Sequence, residues 1–222
     1  MARELEEIPL FPLHTVIFPY AVLHLHIFED RYLQMVRECI EFDRPFGIVL
    51  IRQGHEIGEN PEPYLVGTAV RITQSTKLDS GQMDIQVMGE RRFRIRKIEE
   101  ESKPYMVGYI ENLIETEDEN SERIRALSHR ARESFQQLIE NYFRNQDYRV
   151  QVRLTDDPIA LSFIIANYLR MENLEKQHLL EITTTSDRFK SLIPIIDEAL
   201  VMDAPTLQQL TMDDLSSWVS RN

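Results

Sequence analysis

The chain has 222 residues, a formal net charge of −12 and one cysteine. With 42% hydrophobic and 28% charged residues, it has the composition of a globular protein, not a disordered or fibrous one. The single cysteine excludes an internal disulfide, and the acidic excess, shared equally by the two halves, disfavours a phosphate-backbone partner.

The first element is FPLHTVIFPY, apolar and punctuated by Pro12 and Pro19, which is incompatible with a regular central strand. YAVLHLHIF alternates, with Ala21, Leu23, Leu25 and Ile27 on one face and Val22, His24, His26 and Phe28 on the other. EDRYLQMVRECIEF places Tyr32, Val36, Cys39 and Ile40 at helical spacing. FGIVLIR reads as a buried strand, and Pro61 and Pro63 mark the loop after it. VGTAVRI is a further strand, followed by a turn at Asp79 and Gly81. MDIQVMGERRFRI alternates throughout, with Met83, Ile85, Val87, Phe93 and Ile95 on one face. Its length requires a bend near Gly89, of the kind that closes a small barrel. PYMVGYIENL ends the β part.

The acidic run IETEDENSE separates this from a helical part. Ile124, Leu127, Phe135, Leu138, Ile139, Tyr142 and Phe143 form the stripe of one long helix ending near Asn145, and Phe135, Leu138, Ile139 and Phe163 are expected to be buried. A second helix starts at Pro158 with Asp157 as its cap. ENLEKQHLLEI is a third and SDRFKSLIPIIDEAL a fourth, with Ser186 as cap and Pro194 predicted to kink or break it. In the tail, Leu215, Trp218 and Val219 predict a short docked helix capped by Thr211.

IPLFPLHTVIFPY…LHIFEDRY, VGTAVRI, MGERRFRI…PYMVGYI and DDPIALSFIIANYL with KQHLLEI together resemble the N-terminal domain of Lon proteases, over roughly residues 5–200. The resemblance implies an α+β fold, a PUA-like β pseudo-barrel with one helix over residues 1–115 and a helical bundle over 116–222. It also implies a substrate-binding role toward unfolded or tagged polypeptides, with a separate protease or chaperone as a further partner. No G-x-x-x-x-G-K-[ST] motif occurs, so the expectation is a non-catalytic, protein-binding module that uses no cofactor. Phe18, Tyr20, Phe28, Arg31 and Tyr32, within these motifs, are the candidate peptide-binding residues. The apolar loop holding Phe18 and Tyr20 either plugs the barrel end or presents a sticky surface, and the sequence favours neither reading for these two.

Other chemistry is weaker. His24 and His26 at i, i+2 invite a metal-dependent hydrolase, but no firm third ligand follows, and local hydrogen bonding accounts for both. Cys39 lies on an apolar helical stripe, where cysteine acts as a small hydrophobe. RRFRIRK suggests RNA binding on a PUA-like fold, yet Glu90, Glu99, Glu100 and Glu101 cancel its charge, so no nucleic-acid partner is expected. No apolar run reaches the roughly 18 residues of a membrane span. The start MARELEEIPLF lacks the apolar core of an export signal, so a cytoplasmic location away from membranes is expected.

Overall fold

The computed structural model describes residues 5–58, 60–116, 121–143, 151–152, 154–202, 207 and 219–220. The chain forms two compact units. One takes in the chain up to Ile114 together with Lys176–Glu181, and the other takes in Glu115–Glu175 and the chain from Ile182 onward.

In the first unit the strands are β1 (Glu6–Leu13), β2 (Val22–Ile27), β3 (Phe46–Gln53), β4 (Glu62–Lys77), β5 (Met83–Glu99) and β6 (Val107–Asn112), with helix α1 (Asp30–Glu41) between β2 and β3. They form one sheet in the order β2-β5-β4-β3-β1-β6, and β5 also pairs with β6. That last pairing closes β1, β3, β4, β5 and β6 into a barrel and leaves β2 flanking β5. The long β5 makes closure possible by changing partners: residues 83–88 pair with β2 and residues 93–99 with β6. A bulge marks the change. Ala69 faces Arg91 and Val70 faces Gly89, so Glu90 is the extra residue, beside the glycine where the sequence requires a bend.

The bulge also corrects the face assignment along β5. A one-residue slip moves side chains to the opposite face. Met83, Ile85 and Val87 join α1 in an outer core with Phe11, Met35, Val36 and Phe46, whereas Phe93 and Ile95 join Ile8, Leu10, Val49 and Ala69 inside the barrel. On α1 the buried stripe is Tyr32, Leu33, Met35, Val36 and Cys39. Ile40, assigned to it from spacing, is instead exposed.

β1 corrects the reading of FPLHTVIFPY in part: residues 11–13, with Pro12, belong to a central strand, whereas the rest of the segment is a loop. Residues 6–9 pair antiparallel with β6, and residues 10–13 pair parallel with β3. Pro9 and Pro12 therefore each fall in a half of the strand that is paired on one side only, where a missing N–H breaks no second ladder. The loop after β1 buries Val16, Ile17, Phe18 and Ala21. It lies so close to β5 that a Cβ built on Gly89 would sit 2.2 Å from the Phe18 carbonyl oxygen. The Tyr20 amide donates to the Gly89 carbonyl at 2.8 Å and the Gly89 amide to the Ala21 carbonyl at 2.9 Å. Gly89→Ala is thus expected to cost about 2–3 kcal/mol, because two backbone segments must separate. The check is the urea midpoint, and an unmoved midpoint would refute this close approach.

In the second unit α2 (Glu122–Tyr142), α3 (Pro158–Tyr168) and α5 (Thr185–Met202) pack against one another. α4 (Asn173–Glu181) precedes α5, and residues Lys176–Glu181 belong with the barrel unit. There, Gln177 donates to the Val66 carbonyl at 3.1 Å and Arg92 to the Leu180 carbonyl at 2.7 Å. The α2 stripe buries Ile124, Phe135, Leu138 and Ile139, and Phe163 of α3 is buried too. Asp157 caps α3, accepting from the amides of Ile159 and Ala160 at 2.8 and 3.2 Å.

α5 differs from expectation in two ways. Ser186 is not its cap; Thr184, just before the helix, donates its hydroxyl to Asp187 at 2.7 Å. Pro194 does not break it, since α5 continues to Met202. The carbonyl that loses its partner is that of Lys190, an exposed residue where water can replace the bond. Val219, read as helical, is in a two-residue strand, β8 (Val219–Ser220), paired with β7 (Gln151–Val152). Thr211, Leu215 and Trp218 lie outside the described residues.

Candidate functional site

β2 and residues 83–88 of β5 form a ribbon whose outward face can be read from the register. Val22 stands opposite Met88, His24 opposite Gln86, and His26 opposite Asp84. The inward residues Leu23, Leu25 and Ile27 pack on the core, so alternation turns the even-numbered row to solvent. One end of this row is apolar: Val22 is 48% and Met88 41% exposed. Tyr20, 50% exposed with φ of 69°, lies at the same end, where its amide meets Gly89. At the other end Phe28 is 46% exposed and stacks near His26, with ring centroids 6.1 Å apart. From Val22 to Phe28 the row runs about 20 Å.

Its middle is polar. His26 Nδ1 lies 2.6 Å from Asp84 Oδ1, and Gln86 Nε2 lies 3.0 Å from His24 Nε2. Beside them, Gln74 and Thr76 of β4 help line a depression of about 400 Å³. Each histidine thus has a cross-strand neighbour. Among the described residues, no group of three or more His, Cys, Asp or Glu is placed to hold a metal ion.

The five candidate peptide-binding residues separate into three kinds. Tyr20 and Phe28 are on the exposed face. Phe18 and Tyr32 are buried and so cannot meet a surface ligand: Phe18 is wholly enclosed, and the Tyr32 ring lies 4.3 Å from that of Phe11. Burial pushes the Tyr32 hydroxyl up to about 12, against the opposing pull of Arg31. Arg31, in the first turn of α1, pairs with Glu29 at 3.1 Å and reaches the loop after β3 through the Asn60 side chain at 2.9 Å and the Glu56 carbonyl at 3.4 Å. Val22 and Met88, absent from the sequence candidates, complete the apolar end. Alternation does place Val22 with His24, His26 and Phe28, but nothing local shows that Met88 is its neighbour.

The remaining candidates are structural. Burial pushes the Cys39 thiol up to about 11, which keeps it protonated and unreactive near neutral pH. Glu38 beside it is pulled down to about 2, first by the hydrogen bond from Gln34, then by Tyr105 and Lys103. The arginines of RRFRIRK are largely engaged. Arg91 pairs with Glu6 and Arg96 with Glu111, Arg92 is buried, and Lys97 lies over the Tyr109 ring. Among the described residues, no helix is long and apolar enough to cross a membrane.

Comparison with known proteins identifies the fold. The family described as the ATP-dependent protease La (LON) substrate-binding domain matches residues 7–198. A Lon protease from Desulforamulus reducens is 28% identical over 207 residues, covering 90% of this chain and 25% of its own. Lon protease 1 from Thermus thermophilus is 27% identical over 197 residues, covering 86% of this chain and 24% of its own. The chain thus spans about a quarter of the length of the Lon proteases it matches. The crystal structure of a Lon N-terminal domain protein from Xanthomonas campestris superposes with a TM-score of 0.63 at 25% identity, covering 86% of this chain and 98% of that one. The N-terminal domain of Lon protease from Mycobacterium avium complex, at 19% identity and a TM-score of 0.63, shares the fold, covering 87% and 99%. A family match over residues 7–198, running through both the barrel and the helices, shows that the chain belongs to the Lon substrate-binding domain family.

Proposed function

We propose that this chain is a non-catalytic module that binds unfolded or tagged polypeptides, acting as a chaperone-like factor or as an adaptor to a separate protease. The observation that carries the reading is the row of Tyr20, Val22, Met88 and Phe28, four large apolar side chains between 41% and 50% exposed along one strand pair. Such a row leaves apolar area in water that a partner's apolar side chains would cover. Its polar centre, with His24, Gln86, His26 and Asp84, supplies hydrogen-bonding groups between the two apolar ends.

The test is binding of a heat-denatured client protein to the intact chain and to a Tyr20→Ser, Met88→Glu double variant. Both side chains are exposed, so the thermal midpoint should hold, while the client affinity should fall tenfold or more. Equal affinity in the two proteins rejects this face as the binding site.

A further inference from the structure

We infer that the free edge of β2 captures its client by strand addition, an extended segment of an unfolded polypeptide joining the sheet as an extra strand beside β2. This rests on the reading above and specifies how the client is held. Among the described residues β2 is hydrogen-bonded to β5 alone, so its other edge carries open backbone groups. The hydrogen bonds fix which ones. The Gly89 amide donates to the Ala21 carbonyl, and in an antiparallel pair only every second residue bonds across. Ala21 therefore turns its C=O toward β5, its N–H going to the Phe18 carbonyl, and Leu23, Leu25 and Ile27 turn both N–H and C=O toward β5. Val22, His24 and His26 turn theirs to the free edge.

Sheet edges are normally guarded by proline, lysine, a bulge or a covering segment. VLHLHI has no proline or lysine, and its register to β5 runs from Val22 to Ile27 without a shift. Leu23 and Leu25, although packed on the outer core, stay only partly buried, and among the described residues no strand lies beyond them. A strand laid about 4.8 Å beyond β2 would cover them with its own inward side chains. Both its backbone donors and its alternate apolar side chains would then be used, which is the chemistry of an extended polypeptide with apolar residues at every second position.

Charge decides between such a segment and a second copy of this chain. Each copy carries −12, and Glu29 and Asp30 follow β2 directly, so two copies repel where a neutral or basic segment does not.

The experiment follows amide hydrogen exchange in the wild-type chain by NMR, with and without a short synthetic peptide in which valine and threonine alternate between terminal lysines. The amides of Val22, His24 and His26 should exchange at least tenfold more slowly with saturating peptide, while those of Leu23 and Leu25 change little. N-methylation of the peptide on alternate residues should abolish binding in one register of substitution and spare it in the other. Two results overturn strand addition and leave the client-binding reading intact: peptide that binds without slowing Val22, His24 and His26, or binding indifferent to N-methylation. If neither the peptide nor a denatured client protein binds, both readings fall. Slow exchange of the three amides in the peptide-free protein, growing with its concentration, would assign the edge to a second copy and overturn the inference.

Discussion

Replacing Arg188 with methionine should lower the unfolding free energy by about 3–5 kcal/mol, because it strands a buried carboxylate. The Arg188 side chain is fully enclosed in the helical unit, and its partner Glu115 is only 11% exposed. The guanidinium donates to Glu115 Oε1 at 2.9 Å, Ser162 Oγ at 2.8 Å and the Ile182 carbonyl at 2.8 Å. Its carbon centre lies 3.9 Å from the centroid of the Phe163 ring. Glu115 also accepts from Thr185 at 2.9 Å, so one cation holds the segment before α2 to α3 and to the start of α5. Methionine fills much of the volume but supplies none of the donors. The distinguishing measurement is a double-mutant cycle with Glu115→Gln in urea. Because the loss comes chiefly from the unpaired charge, the double variant should be more stable than Arg188→Met alone. A single-variant loss below about 1 kcal/mol would mean that solvent reaches the pair after local opening.

Phe93→Ala should have a comparable effect, about 3–5 kcal/mol, for an apolar reason. Phe93 fills the interior where β5 passes from β2 to β6, and the barrel is built around its ring. A Cβ on Gly47 would lie 2.6 Å from the ring edge, and one on Gly67 would lie 2.9 Å from it. The two glycines therefore face the ring and make room for it. Truncation leaves a cavity inside a closed set of strands that cannot easily collapse into it. The same contact predicts coupling. Gly47→Ala should destabilise the wild-type barrel, and destabilise the Phe93→Ala background less, because the space is then free. Additive losses would show that ring and glycine do not share that space.

The two functional experiments separate what the face does from how its edge does it. Side-chain variants at Tyr20 and Met88 test recognition by apolar contact. Exchange at Val22, His24 and His26 tests backbone pairing. A client held by both would lose affinity in the variants while still slowing the three amides when saturated.

The sequence by itself determined the elements and their apolar faces, because period and capping are local properties. Alternation along VLHLHI sets Leu23 and Leu25 inward and His24 and His26 outward, as they stand in the sheet. Asp157 before Pro158 marks the start of α3, and the acidic run IETEDENSE falls between β6 and α2 in the chain. The ordered motifs also carry the family resemblance. Tertiary structure alone decided which strands became neighbours. Pro12 argues against a central strand until β1 is seen to change partners just before it. Phe18 and Tyr20 look alike in FPY, yet one is enclosed and the other half exposed, because the Gly89 backbone approaches the loop between them. Val22 and Met88 form one apolar patch across 66 positions of sequence, and Arg188 meets Glu115 across 73. Periodicity records how a residue relates to its own element, whereas register and ion pairing between distant segments depend on packing that exists only once the chain has closed.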